Sequence, residues 1–251
     1  MKPLLMIFSV IVLNAGFVMM APHNPYCFTT AAGSLFLMGA SLRQHDMNLY
    51  YFSVFFAMSQ VTVGLGNAVV SMIRPGNIDP AMMRFDHGIS MGIYHWTTAH
   101  VVARVIAVLL YVSLPLFMAI VIGVPNERRD EMVAALVIST VVAPFIFLIF
   151  PAAGPAYLNK PRAAHNCLPS LHMAWALICA MRVPKWLLPA SIAFAAGTAY
   201  ATLAMGEHYV VDLVAAAIYT VAIFKVVPVF MPALAAQRAQ PVAAAPVNEF
   251  Q

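Results

Sequence analysis

The chain has 251 residues, of which 63% are hydrophobic and 9% are charged, and its formal net charge is +4. An ordinary soluble domain carries roughly 25% charged residues, so this composition excludes a soluble globular protein and indicates an integral membrane protein. The small excess of positive charge does not indicate a nucleic acid partner. The three cysteines show no C-x-x-C spacing and predict neither a disulfide framework nor a zinc knuckle.

The sequence predicts an all-α fold, because stretches of about 18 to 25 apolar residues recur along it and each can cross a hydrocarbon core about 30 Å thick. We expect about eight transmembrane helices, two within residues 1–47 and six within residues 48–232. A cleaved signal peptide is an alternative for residues 1–22, but "MAPHNP" is a poor cleavage site and favours a retained helix. The predicted spans are 4–21, 26–42, 49–73, 98–123, 132–150, 168–182, 186–205 and 209–230.

The basic residues are distributed unevenly between the loops, which predicts an orientation. With eight spans and a cytoplasmic N-terminus, most of them fall on the cytoplasmic side, and residues 233–251 form a disordered cytoplasmic tail. The outer side would carry Arg74, Arg84, Lys160 and Arg162. The cytoplasmic side would carry Lys2, Arg43, Arg128, Arg129, Arg182, Lys185, Lys225 and Arg238.

Residues 74–100 are too polar to cross the bilayer, yet they mix Met, Phe, Tyr and Trp with Arg, Asp and His. This mixture predicts a segment that lies at the outer membrane interface. The segment would serve either as a connection anchored by Trp96 or as a lid over a lipid substrate. Asp86, His87 and His95 are candidates for recognising a polar head group.

Asp212 is the carboxylate that falls within a predicted span, where a charge is costly and therefore a functional candidate. His208 precedes it by four residues in "GEHYVVD", so the two side chains share one face of a helix. A carboxylate that accepts a hydrogen bond from imidazole Nδ1 leaves the Nε2 lone pair free for attack and stabilises the resulting cation. The pair predicts a nucleophilic His208 oriented by Asp212, and a packing role for the pair is the alternative.

The stretch "CLPSLHMAW" places a second histidine at another predicted helix start. Pro169 suits the first turn of a helix, so Ser170 and the next residue would present free backbone N–H groups to an anion, with His172 beside them. Lys160 and Arg162 precede this motif in a loop on the same predicted side. Two histidines, an acid, a serine and two cations would therefore converge at one depth near the outer membrane surface.

This set of side chains suits the opening of a phosphate ester or anhydride without a metal or an organic cofactor. His208 would attack phosphorus, while His172 would protonate the leaving oxygen and then accept a proton from the incoming acceptor. Arg104, near the start of the fourth span, either binds the phosphate or snorkels to lipid head groups. The predicted phosphate ligands are Ser170, Lys160, Arg162 and Arg104.

The two histidine motifs resemble those of a known family. "PSLH", followed some 36 residues later by "HYVVD", looks like the second and third signature motifs of the type 2 phosphatidic acid phosphatase (PAP2) superfamily. The resemblance covers residues 49–230 and implies a six-helix membrane core with a site facing the extracytoplasmic side. It implies a proton donor at His172 and a phosphohistidine nucleophile at His208, with Asp212 assisting. It also implies a lipid phosphate or phospholipid as substrate.

Three departures from the superfamily's usual motifs resemble one of its branches. Ala201 and Thr202 stand where a Ser-Arg pair is common, and Asn67 stands where a lysine precedes an Arg-Pro pair. Leu171 replaces a glycine, and "FPAAGPAY" lies ahead of the second motif. These features look like the branch of the inositol phosphorylceramide synthases and their bacterial relatives. That branch implies transfer of a phosphorylated head group to a polar or lipid acceptor, and hydrolysis by water is the alternative.

Other classes of function could use the same residues. A transporter with a His/Asp proton relay would usually break its helices near the midplane of the bilayer. An intramembrane serine hydrolase built on Ser170 would lack the usual Gly-x-Ser-x-Gly elbow. An inert scaffold would tolerate replacement of both histidines. A zinc enzyme could use Cys167, His172, His208 and Asp212, although their spacing matches no familiar ligand motif.

Overall fold

The regular structure is helical throughout the residues that the computed structural model describes, which are 3–20, 25–73, 78–157 and 166–239. The all-α prediction is confirmed. Single 3₁₀ turns lie at Pro155–Tyr157 and Lys185–Leu187. The helices are α1 (Pro3–Met20), α2 (Pro25–Gln44), α3 (Met47–Ile73), α4 (Asp79–Asp86), α5 (Ile89–Ala99), α6 (Val101–Gly123), α7 (Arg129–Ile149), α8 (Leu171–Arg182), α9 (Leu188–Ala204) and α10 (Val210–Ala239).

Each predicted span coincides with one of these helices, and seven of the eight differ from it by at most three residues at either end. The exception is α10, which continues to Ala239, nine residues past the predicted end and into the segment expected to be disordered. Among the described residues, two further apolar helices, Leu5–Gly16 and Leu171–Arg182, are shorter than a full span. The count of eight spans stays a prediction. The assignment of the chain to the membrane proteins rests on four longer helices. The helices that are long and apolar enough to cross a membrane are Val101–Gly123, Arg129–Ile149, Lys185–Ala204 and Val210–Met231.

Two buried threonines inside the apolar helices find hydrogen-bond partners within their own helix. Thr140 donates a hydrogen bond to the Leu136 carbonyl at 2.8 Å, and Thr220 donates to the Ala216 carbonyl at 2.8 Å. Lipid offers no hydrogen-bond partner, so this bonding to the preceding turn allows polar residues to remain in a helix surrounded by hydrocarbon.

The core lies where α2, α3 and α6 meet α7, α8 and α10. Gly33 permits the close approach of α2 to α6, because a Cβ placed there would lie 3.0 Å from Ala119 Cβ and 3.1 Å from the Pro115 carbonyl oxygen. Between helices in lipid, such close packing takes the place of the hydrophobic effect in stabilising the bundle. The buried side chains at the centre include Leu37, Leu114, Ile122, Leu136 and Ile178.

The loops of the bundle gather at two ends. At the distal end, where α2, α6 and α8 finish and α3, α7 and α9 begin, Arg129 pairs with Asp46, and Arg182 Nε donates to Glu131 Oε2 at 2.8 Å. At the site end, α6, α8 and α10 begin. The distal end carries most of the described basic residues that the sequence places in the cytoplasm, namely Arg43, Arg128, Arg129, Arg182 and Lys185.

The described part of the segment expected at the membrane interface forms two helices, α4 and α5, at the site end. The helix α5 packs against α9. Phe85, Ile89 and Trp96 nevertheless expose more than half of their surface, at 76%, 53% and 54%. Exposed aromatic and aliphatic side chains among polar ones are typical of a segment at the level of the lipid head groups.

Candidate active site

The nucleophile candidate lies immediately before α10. Because α10 begins at Val210, His208 and Tyr209 precede its first turn and Asp212 is its third residue. Asp212 Oδ2 accepts a hydrogen bond from the Tyr209 backbone N–H at 2.7 Å, which satisfies a free amide at the helix start. The same oxygen lies 3.4 Å from His208 Nδ1. The expected proximity of the two side chains is therefore present, but a helix-capping turn produces it and not a shared helix face.

A cysteine thiol completes this cluster. Cys167 Sγ donates to Asp212 Oδ2 at 2.6 Å and lies 3.3 Å from His208 Nδ1. The three side chains are buried, with Cys167 1%, His208 4% and Asp212 0% exposed. Burial, followed by the negative charge of Asp212, raises the pKa of the Cys167 thiol well above its usual value. The thiol is therefore protonated at neutral pH and can act as a hydrogen-bond donor.

The start of α8 differs from the sequence prediction in two respects. The helix begins at Leu171, because Ser170 Oγ accepts a hydrogen bond from the Met173 N–H at 3.3 Å and caps it. Pro169 therefore precedes the cap and does not lie in the first turn. The Ser170 N–H donates to the Asp212 carbonyl at 3.3 Å, so it is not free to bind an anion. This bond ties the start of α8 to the first turn of α10.

His172 and His208 face one cavity at the site end, and their ring centroids lie 6.3 Å apart. The cavity is open to solvent, and the empty space at this position, part of it open solvent, is about 490 Å³. The ring centroid of His172 lies 4.4 Å from that of Tyr111 and 5.6 Å from that of Tyr26, so the second histidine stands against aromatic side chains. The cavity is lined by Tyr26, Tyr111, Asn166, Leu171, His172, Trp175, Glu207 and His208.

The loop ahead of α8 is held in place by Asp79. This buried carboxylate accepts hydrogen bonds from the backbone N–H groups of Ala153 at 2.9 Å and Gly154 at 3.0 Å, and from the Tyr209 hydroxyl at 3.0 Å. Gly154 has a φ of +88°, and a Cβ on it would overlap the backbone carbonyl of Glu207. The loop therefore packs directly against the residues that carry His208.

Asp86 does not have the role expected from the sequence. Its carboxylate is 4% exposed and accepts hydrogen bonds from the Ser90 N–H at 2.8 Å, the Ser90 hydroxyl at 2.6 Å and the Val210 N–H at 3.0 Å. A buried acid with these partners anchors the start of α10 and does not face a lipid head group. His87 and His95 are exposed and stay candidates for that contact.

The predicted phosphate ligands are described only in part. Lys160 and Arg162 lie outside the described residues. Arg104 is exposed on α6, two turns before Tyr111, which places it about 10 Å from that cavity residue along the helix axis. Ser170 is fully buried beside the cavity and is used as a helix cap. A phosphate-binding role for these four residues stays a prediction.

Sequence reasoning missed two features of the cavity. Glu207 lines it, and the Tyr157 hydroxyl donates to Glu207 Oε1 at 2.9 Å. The position of Glu207 directly before His208 could have indicated its place in the cavity, although a carboxylate in a predicted loop usually faces only water. Tyr26 also lines the cavity, although the predicted division places it with the first two helices. Its participation depends on the packing of α2 against α6, which no local pattern encodes.

Three of the residues considered for a zinc enzyme come together. Cys167, His208 and Asp212 offer sulfur, nitrogen and oxygen ligand atoms that all lie within 4.8 Å of one another. Zn²⁺ is bound in proteins by these donor types. A metal at this cluster is therefore a chemical alternative to phosphotransfer by histidine alone, and a chelator tests it.

The fold and the cavity define a helical membrane protein with two histidines and a buried carboxylate at one end. The family model of the PAP2 superfamily matches residues 159–226, a stretch that contains Ser170, His172, His208 and Asp212. This match supports the superfamily and is consistent with a membrane enzyme of the lipid phosphatase or phosphotransferase type. No curated protein and no solved structure shows a significant match to the chain.

Proposed function

We propose that this protein is a membrane lipid phosphotransferase that moves a phosphate or a phosphorylated head group through a phosphohistidine intermediate. The observation that carries the proposal is the placement of His172 and His208 around one cavity, with 6.3 Å between their ring centroids and a buried Asp212 carboxylate 3.4 Å from His208 Nδ1. Reacting atoms in a near-attack geometry lie about 3 to 3.5 Å apart, so one phosphate group placed between the two rings can contact both.

In the first step, Nε2 of His208 attacks the phosphorus atom of the lipid donor. The bond between phosphorus and the leaving oxygen breaks, and His172 gives that oxygen a proton. The His208 ring becomes positively charged, and the adjacent Asp212 carboxylate stabilises this charge because both groups are buried away from water.

In the second step, the hydroxyl oxygen of the acceptor attacks phosphorus and the bond to Nε2 breaks. His172, now neutral, accepts the acceptor's proton, which returns both histidines to their starting states. The Glu207 carboxylate on the cavity wall can accept a hydrogen bond from a hydroxyl group of the acceptor, as it does from the Tyr157 hydroxyl. This arrangement favours a polar acceptor with hydroxyl groups, while water as the acceptor would make the protein a phosphatase.

The phosphate oxygens need positive charge and hydrogen-bond donors around them. We assign this role to Ser170, Lys160, Arg162 and Arg104, as the motifs suggest, and we assign the chemistry to the histidines without a metal or an organic cofactor. The resemblance of "FPAAGPAY", "PSLH" and "HYVVD" to the inositol phosphorylceramide synthase branch supports a phospholipid donor and a lipid or polyol acceptor.

We place the cavity on the extracytoplasmic side of a cell membrane. The distal end carries the concentration of arginine and lysine residues described above, and loops rich in these residues are retained in the cytoplasm. The cavity opens at the opposite end of the same bundle. Lipid donors would therefore be drawn from the outer leaflet.

The first experiment is mass spectrometry of the products formed when the detergent-purified protein meets a panel of lipid phosphates and phospholipids, with and without inositol and diacylglycerol. His208→Ala is expected to lower turnover by about 10³-fold or more, because alanine cannot form the covalent intermediate. His100→Ala is the matched control, since it removes an exposed histidine at the same end of the bundle and is expected to turn over normally.

Each outcome separates the candidates. A head-group-bearing lipid that forms only with an acceptor supports the phosphotransferase. Release of phosphate or head group without any acceptor supports the phosphatase. Loss of turnover on addition of a chelator would favour zinc at Cys167, His208 and Asp212. If no product depends on His208, the proposal of an enzyme is contradicted. A transporter with a His/Asp proton relay would then be the favoured alternative.

A further inference from the structure

The contact between His208 and Asp212 is longer than an ordinary hydrogen bond. Their closest atoms, Nδ1 and Oδ2, lie 3.4 Å apart, whereas N–H···O bonds in proteins measure about 2.7 to 3.2 Å. Cys167 Sγ lies 3.3 Å from the same nitrogen and 2.6 Å from the same oxygen. Because sulfur is larger than oxygen, 3.3 Å is within hydrogen-bond contact for the thiol.

The protons of the cluster can be assigned from these distances. The thiol has one proton and three possible acceptors within reach: Asp212 Oδ2 at 2.6 Å, the Glu207 carbonyl at 3.0 Å and, in one tautomer, His208 Nδ1 at 3.3 Å. The carboxylate is closer and charged, so the thiol proton points to it. The sulfur is then left as an acceptor toward His208, whose Nδ1–H can donate to it. In this tautomer the Nε2 lone pair is free.

We propose that Cys167 is a positioning residue that bridges His208 and Asp212, so that the nucleophile is oriented by a relay of imidazole, thiol and carboxylate. This inference rests on the proposed phosphotransfer. No bond to sulfur forms or breaks, and the thiol keeps its proton throughout. Its contribution is to hold the His208 ring in one tautomer and to link the ring's developing positive charge to the carboxylate.

The surroundings keep the thiol in place. The Cys167 backbone N–H donates to the Ala152 carbonyl at 2.9 Å, and Asp212 Oδ2 is held from the other side by the Tyr209 N–H at 2.7 Å. No described residue donates to the second oxygen of Asp212, so the partners of Oδ2 determine where the carboxylate lies.

The test compares Cys167→Ala with Cys167→Ser in steady-state kinetics. Loss of a hydrogen bond to a charged group is expected to lower kcat about ten- to a hundredfold in Cys167→Ala, with KM for the lipid donor changed less than about twofold. Cys167→Ser is expected to recover most of kcat, because its hydroxyl can donate to Asp212 and accept from His208. Cys179→Ala is the matched control, since Cys179 is equally buried in α8 but lies away from the cavity.

A second measurement does not depend on turnover. The infrared S–H stretch of a thiol that donates to a carboxylate lies below that of a thiol with a weak partner. We expect a low-frequency S–H band that Cys167→Ala removes and Cys179→Ala leaves unchanged. If Cys167→Ala folds poorly, Cys167→Ser can replace it in this measurement, because the serine variant also lacks the Cys167 thiol and its S–H band.

The outcomes distinguish this inference from the proposed function. If His208→Ala abolishes turnover but Cys167→Ala behaves like Cys179→Ala, the relay is wrong and the phosphotransferase stands. If Cys167→Ser fails to recover kcat, or if no shifted S–H band exists, the relay is likewise wrong. If the unmodified protein and His208→Ala show the same turnover, or none, the proposed function fails. The infrared band alone then decides whether the bridge from His208 through Cys167 to Asp212 exists.

Discussion

Replacing Asp79 with asparagine should loosen the loop that supports the cavity. Asp79 Oδ2 accepts from the Ala153 N–H, while Oδ1 accepts from the Gly154 N–H and the Tyr209 hydroxyl. Asparagine keeps only one acceptor oxygen and places an NH₂ group where the other oxygen stood. The side-chain NH₂ then faces the Ala153 N–H and is buried without a partner, and that N–H keeps only its longer contact of 3.2 Å with the remaining oxygen.

The expected cost follows from these two groups. A buried polar group left without its hydrogen bond costs about 1 to 3 kcal/mol, so the variant should lose about 1 to 3 kcal/mol of stability. For a chain of this size, a loss near the middle of that range lowers Tm by roughly 4 to 8 °C. Turnover should fall as well, because the loosened loop packs directly against Glu207, the residue before His208.

The measurement is thermal unfolding of the detergent-purified protein, followed by tryptophan fluorescence, together with hydrogen exchange of the Ala153 and Gly154 amides. Glu127→Gln is the matched control, because it neutralises an exposed carboxylate at the distal end. Faster exchange at the two amides together with a lower Tm supports the role of Asp79 in holding the loop ahead of α8. A Tm within about 2 °C of the unmodified protein, with both amides still protected, would refute it.

Two further substitutions test the loop and the phosphate ligands. Gly154→Ala should abolish turnover and lower Tm, because the residue adopts a φ of +88° and a Cβ would overlap the Glu207 carbonyl. Gly92→Ala, at a helical position with open space around it, should leave turnover and Tm unchanged. An active Gly154→Ala variant would contradict the close packing of Gly154 against the Glu207 carbonyl. Arg104→Gln should raise KM for the lipid phosphate with a smaller effect on kcat, measured against Arg84→Gln. An unchanged KM with poorer membrane insertion would identify Arg104 as a residue that snorkels.

The helices of this protein could be predicted closely because each depends on the composition of its own segment. A run of apolar residues long enough to cross a membrane must satisfy its backbone hydrogen bonds internally, and a helix does this without help from the rest of the chain. The expected apolar spans accordingly coincide with helices, including α8 and α9, which a short loop separates. The mixture of aromatic, aliphatic and polar residues at 74–100, which predicts an interfacial segment, is likewise a local property.

The proximity of His172 to His208 could also be predicted, because both motifs begin helices that run in the same direction from one end of the bundle. Details at those helix starts could not. The cap formed by Ser170 and the turn that brings Asp212 to His208 depend on hydrogen bonds between the two helix starts, such as that from the Ser170 N–H to the Asp212 carbonyl.

The length and apolar character of its segments alone determine that this chain is a helical membrane protein. The positions of the histidine motifs at the starts of two of these segments determine that they lie at one end of the bundle. Tertiary structure decides which polar groups meet there. Asp79 contacts residues more than seventy positions away, and Cys167 reaches Asp212 across forty-five. Such contacts leave no periodic signal, because a buried carboxylate or thiol is satisfied by whichever donor the folded loops bring to it.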